Sequence, residues 1–141
     1  MYKKVSILIL RVTTGWLMFY AGITKILDPE WTAAGYLSNA KTFPEFYAWF
    51  ARPEVIDTVN LLNEWGLTIL GASLMLGLWV RWSAPVGAVL MMLYYFPVLT
   101  FPTIGDHYYI VDDHIIDAAA LLILGALDAG RYWGIDGRRR K

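Results

Sequence analysis

The stretch Val111-Asp112-Asp113-His114-Ile115-Ile116-Asp117, running into the uncharged segment 118–127, sets three acids and a histidine at the threshold of an apolar helix. Taken alone it would read as the buried helix of a soluble protein. It is the last of four long apolar segments in a chain of 141 residues, however, and that makes lipid the expected solvent. Ionisable side chains in or at the edge of a bilayer are costly and usually functional.

Working outward from that segment, the apolar runs fall at residues 5–27, 59–80, 83–101 and 111–130. At about 1.5 Å per residue each can cross, or nearly cross, a hydrocarbon core of about 30 Å. The expected fold class is all-α: an integral membrane four-helix bundle forming a single domain over residues 1–141. The first run is read as a span rather than a cleaved leader, because Arg11 interrupts it and no small-x-small cleavage site follows. Only Arg81 and Trp82 separate the second and third runs, so a tight helical hairpin is expected there. A hydrophobic share of 57% exceeds that of ordinary globular domains. The mean hydropathy of +0.45 agrees.

The charge balance of 12 basic against 12 acidic residues gives no reason to expect nucleic acid as a partner. Placement is more informative than balance. One set of flanks carries Lys3, Lys4, Arg81, Arg131, Arg138, Arg139, Arg140 and Lys141, whereas the other carries Lys25, Lys41 and Arg52. Basic loops stay inside, so both termini are expected to be cytoplasmic. The expected location is the plasma membrane of a bacterium or archaeon, crossed several times. With no cysteine, the chain carries no disulfide and no thiolate-ligated centre of its own. The segment 28–58 is long for a bare connection and is read as short interfacial helices. Asp28-Pro29 reads as one helix start, running through Tyr36, and Thr42 with Pro44 and Glu45 reads as a second.

Helical spacing puts Arg11, Gly15, Met18, Gly22 and Lys25 on one face of the first span, which must therefore pack inward. By depth, Arg11 is expected to pair with Asp128 near the inner surface. Near the outer surface Lys25, Asn60, Glu64, His114 and Asp117 fall in one layer, with Tyr20, Tyr94 and Tyr95 slightly deeper. Such a layer offers what a quinone needs: an apolar slot, donors for two carbonyl oxygens, and groups able to pass protons. Lys25, Tyr20, Asn60 and Tyr94 are the expected binding residues, and Glu64, His114 and Asp117 the expected proton-handling ones. The competing reading is a structural polar cluster, with Lys25 paired to Glu64 or Asp117. A metal is disfavoured, because Glu64, Asp113, His114 and Asp117 supply only one nitrogen. Haem is disfavoured because His107 and His114 share one short segment. Transport ranks below quinone-linked redox work and below a purely structural role.

Three segments carry a family resemblance. They are Leu10-Arg11 through Gly22-x-x-Lys25-x-x-Asp28-Pro29-Glu30-Trp31; Asn63-Glu64-Trp65-Gly66 through Leu78 and Arg81; and Asp112-Asp113-His114 through Gly130-Arg131-Tyr132-Trp133-Gly134-Ile135-Asp136. In these the chain resembles the DoxX and DoxD family of small bacterial and archaeal membrane proteins. The DoxD branch is the large subunit of a thiosulfate:quinone oxidoreductase, working beside a DoxA partner. The resemblance implies four membrane helices and a quinone connection, but neither thiosulfate as substrate nor a transferable catalytic motif. Besides the lipid bilayer, the partners this implies are a redox subunit or a second copy of the chain.

Overall fold

The computed structural model describes residues 1–139, so the expectations that rest on Arg140 and Lys141 lie outside the described residues. Four long helices dominate: α1 (Tyr2–Ile26), α4 (Ile56–Leu76), α5 (Val80–Val98) and α6 (Asp113–Ala126). Between α1 and α4 come two short ones, α2 (Ala34–Ser38) and α3 (Pro44–Phe50). Between α5 and α6 the chain makes three two-residue strands, β1 (Leu99–Thr100), β2 (Thr103–Ile104) and β3 (Tyr108–Tyr109), paired antiparallel in that order. A 3₁₀ turn at Ala129–Arg131 and α7 (Ile135–Arg139) close the described chain.

Among the described residues α1 alone is both long and apolar enough to cross a membrane. The fourth apolar run does not form one helix. Asp112 caps the start of α6 by accepting from Ile115 N, and Asp128, in left-handed geometry at φ 46°, follows its end. Its 14 residues span about 21 Å, less than a hydrocarbon core. The turn between the second and third runs is also displaced. Gly77 ends α4 in left-handed geometry at φ 67°, a position that favours glycine, and Trp79 precedes α5 at φ 55°. Arg81 and Trp82 therefore sit in the first turn of α5 rather than between helices.

α1 runs antiparallel along α4, and glycines set how closely they approach. A methyl at Gly15 would lie 2.9 Å from Leu74 Cβ and Met75 N, and one at Gly71 would lie 2.6 Å from Gly15 O. α6 packs on α5 in the same way, with Gly125 against Pro85 and Ala84. Met18 and Leu121 fill the space beside Gly87, which brings the two pairs together. Small residues thus set the closest helix contacts around a core of Met18, Leu67, Leu74, Leu121 and Leu124, while Ile9, Leu17, Leu62, Ile69, Val89 and Ile123 lie on the exterior. Close backbone approach at small residues is also how helices pack where the hydrophobic drive of water is absent. The continuous apolar exterior would be a liability in water.

At the end of the bundle that holds the α4–α5 turn, Arg11 is 1% exposed, the largest fully buried side chain among the described residues. Its Nη1 donates to Ala129 O at 2.9 Å and Tyr132 O at 3.3 Å, and Asp136 supplies the opposing charge. The expected pairing with Asp128 thus falls on the right segment but on main-chain oxygens of that segment, while Asp128 Oδ2 lies 2.6 Å from Arg131 Nε. Asp136 also fastens the α4–α5 turn, accepting from Val80 N and donating its own N–H to Gly77 O at 3.0 Å.

Candidate functional site

At the opposite end the segment 28–55 folds over the helix ends and is tied to them by hydrogen bonds. Pro97, inside α5, lacks the N–H that would satisfy Leu93 O four residues earlier. Tyr47 Oη supplies it instead, donating to Leu93 O at 2.9 Å, and Tyr36 Oη donates to Tyr94 O. Lys41 N donates to Pro97 O at 2.9 Å and Thr42 Oγ1 to Leu99 O at 2.7 Å. The exposed carbonyls at the end of α5 are thereby satisfied, as burial requires. These bonds also revise the expected helix starts. Thr42 is committed to Leu99 and Phe43 precedes α3 in left-handed geometry, so there is no capping box. Asp28 forms a local turn to Glu30 N at 3.1 Å, leaving α2 to begin at Ala34.

Beneath this cover lies a cavity of about 270 Å³. Lys25, Asn63, Tyr94 and His114 supply its polar wall, and Trp31, Thr32, Ala33 and Tyr36 close it from the covering segment. Of the residues expected from sequence, Lys25, Tyr94 and His114 meet here. The other four do not line this cavity. Tyr20 points outward beside Trp16, with ring centroids 5.9 Å apart. Asn60 holds the cover, its Oδ1 accepting from Ala33 N at 2.9 Å. Glu64 is the carboxylate whose charge acts on Lys25, but no ion pair joins them among the described residues. Asp117 lies one turn along α6 from His114 and feels its charge.

The cavity's polar groups have unspent capacity. Lys25 Nζ donates to Ala21 O at 3.0 Å and sits 5.3 Å from the Trp31 ring centroid, so two of its three N–H groups have no hydrogen-bond acceptor among the described residues. Asn63 Nδ2 donates to Tyr94 Oη at 2.6 Å, which leaves the phenol proton free. Asn63 Oδ1 is buried with no partner among the described residues. His114 Nδ1 lies 2.7 Å from Oδ2 of Asp112, which is 6% exposed. A carboxylate can only accept, so Nδ1 carries a proton, and in the neutral ring Nε2 is then the acceptor. The Tyr94 ring meets the imidazole edge-on, with centroids 6.2 Å apart.

Burial pushes the Tyr36 phenol up to about 12, with the charges of Tyr47 and Asp112 adding to it. Burial also raises Tyr47. Sequence reasoning missed Asp112 as the histidine's partner, although Asp-x-His at a helix start was a readable signal: the N-cap side chain points back along the first turn, where the histidine lies. Asn63 was also missed. It lies one residue from Glu64, and choosing between them depended on the rotation of α4.

A second cavity of about 210 Å³ adjoins the first, sharing Ala33, Tyr36, Asn63 and Tyr94 in its walls. The DoxX family model matches residues 6–100, from α1 to β1. The chain belongs to the DoxX family. DoxX is a membrane family, in keeping with the apolar exterior and the length of α1. The DoxX match includes Lys25, Asn63 and Tyr94 and ends before Asp112 and His114. No curated protein and no solved structure matches the chain.

Proposed function

We propose that this DoxX protein is a multi-pass subunit of the bacterial or archaeal plasma membrane that binds quinone and passes electrons to it from a partner. In this reading the four long helices form the transmembrane bundle, with both termini cytoplasmic and the cavity near the outer surface. The observation that carries the proposal is the unspent hydrogen-bonding capacity of the cavity wall. A purely structural cluster in lipid pairs its own members. Among the described residues two Lys25 N–H groups, the Tyr94 phenol proton, Asn63 Oδ1 and His114 Nε2 have no hydrogen-bond partner.

That donor and acceptor set fits a ring with oxygens at both ends. A bound quinone would supply a two-electron, two-proton acceptor. Lys25 and Tyr94 would hold its oxygens through N–H and O–H donors. His114 would hold or move a proton at Nε2, its tautomer fixed by Asp112 at Nδ1. Glu64 and Asp117 keep a supporting role as the nearby carboxylates through which protons reach Lys25 and His114. Electrons arrive from a partner subunit or another copy of the chain.

The test is titration of the purified protein in detergent with a tailless quinone. His114→Ala or Lys25→Met removes one charge-assisted or tautomer-fixed hydrogen bond, which weakens binding by about 10- to 100-fold. Glu64→Gln changes affinity far less. If the parent protein binds no quinone, or both variants bind as tightly as the parent, the proposal is wrong. The alternative, a scaffold without cofactor, predicts instead that Lys25→Met lowers the melting temperature and that no ligand raises it.

A further inference from the structure

Resting on the quinone reading, we infer that the second cavity is the seat of the ligand's prenyl tail, entered sideways from the outer leaflet through the seam between α4 and α5. Polarity divides the two cavities. The first carries Lys25 and His114, whereas the second is lined away from the shared wall by side chains such as Leu37, Phe50, Val59 and Leu90. Neither alone reaches the roughly 300 Å³ at which small-molecule pockets begin, and together they pass it. An amphipathic ligand with a polar ring and an apolar chain matches that division.

The seams of the molecule then select the route. α1 and α4 meet backbone to backbone at Gly15, Gly22 and Gly71, and α5 and α6 close on Gly87 and Gly125. Neither pair leaves room for a chain. In the outer half of the α4–α5 seam, side chains of the covering segment occupy the space instead. Tyr47 and Tyr36 reach across to the Leu93 and Tyr94 carbonyls. Leu62 of α4 and Leu93 of α5 line the second cavity while being 67% and 42% exposed. A wall residue exposed on its outer side marks an opening, and an opening between apolar flanks faces acyl chains rather than water.

Photolabelling of the full-length protein in phospholipid nanodiscs tests the assignment. The probes are a quinone with a diazirine on its first isoprene unit, a second quinone with the diazirine on the ring, and a phospholipid with a diazirine in its acyl chain. The expected result is a tail label on Leu62, Leu90, Leu93 or Phe50 and a ring label on Trp31, Tyr94 or His114, both competed by unlabelled quinone. A Leu90→Trp variant, which fills the second cavity, should cut the tail label about tenfold while leaving the ring label of a tailless quinone unchanged. A ring label in the first cavity with the tail label elsewhere overturns the tail assignment and leaves the quinone reading intact. Acyl-chain labelling of the second cavity that quinone does not displace also overturns it. Absence of competed label from both quinone probes overturns the underlying reading, and the tail seat with it.

Discussion

Replacing Gly71 with alanine, beside the same change at Gly66, isolates the contact that joins α1 to α4. A methyl at Gly71 would stand 2.6 Å from both Gly15 O and Phe19 Cα, where ordinary contact begins at 3.4 Å. Every nearby atom is backbone, with Phe19 N closer still, so no side chain can swing away, and the helices must part by about 1 Å or tilt. Overpacking of this kind costs about 1–3 kcal/mol, and rigid neighbours put Gly71→Ala at about 3. At Gly66 a methyl meets nothing within 4 Å. There the substitution only relieves the helical penalty of glycine, a gain of about 0.5–1 kcal/mol. The relief of the helical penalty is common to both positions, so the same chemical change, five residues apart on one helix, has opposite signs and differs by the overpacking cost of about 3 kcal/mol. Unfolding in detergent with increasing dodecyl sulfate, followed by circular dichroism, reads that difference directly. Equal midpoints for the two variants would refute the close approach of α1 and α4, and with it the placement of Lys25 beside Asn63.

Arg11→Met removes the donor to the Ala129 and Tyr132 carbonyls and leaves the Asp136 charge without its counterpart. A loss of about 3–5 kcal/mol is expected in the same unfolding assay, and a loss under 1 would contradict the buried network. Tyr47→Phe leaves Leu93 O unsatisfied, at a cost of about 1–2 kcal/mol. Pro97→Ala restores the missing helical N–H, so the double variant should be less destabilised than the two single changes added together, and strict additivity would break the link. Tyr36 is held neutral in the folded protein up to about pH 12, whereas its unfolded counterpart ionises from about 10. The unfolded state therefore binds fewer protons across that window, and stability falls as pH rises from about 10 to 12. Tyr36→Phe should flatten this alkaline decline in a melting-temperature series, and an unchanged slope would place its origin elsewhere.

The inward face of α1 was legible because 3.6-residue spacing is a property of the chain alone: Arg11, Gly15, Met18 and Gly22 are all buried. Lys25 and His114 were likewise legible as inward-facing polar groups. The ends of the helices were less so. Hydropathy marks where residues prefer lipid, whereas α4 extends through Asp57 and stops at Gly77 for a reason of backbone geometry. Periodicity also cannot say which of two adjacent polar residues faces a neighbour. Asn63 rather than Glu64 lines the cavity because the Gly22–Thr68 contact fixes how α4 is turned against α1, and that contact is tertiary. The three short strands carry no alternating pattern over two residues each, and their pairing follows from the closure of the α5–α6 connection.

Pro97 explains why the covering segment and the cavity occur together. A proline near the end of a packed helix frees a carbonyl four residues earlier, and where burial keeps water away something polar must reach it. Tyr47 does so from α3, and Tyr36 reaches the next carbonyl from α2, so the break in α5 fixes where the cover sits. Once there, the cover brings Trp31 over Lys25 and forms one wall of the cavity that Asn63, Tyr94 and His114 line from the helices. Hydrogen bonds in this region are thus spent on main-chain oxygens of α5 and on positioning, through Asn60 to Ala33 and Asp112 to His114. The groups facing inward are left over. Neutralising them one at a time should weaken a ligand without loosening the cover, whereas removing Tyr47 should loosen the cover while the donors and acceptors of the cavity wall remain in the chain.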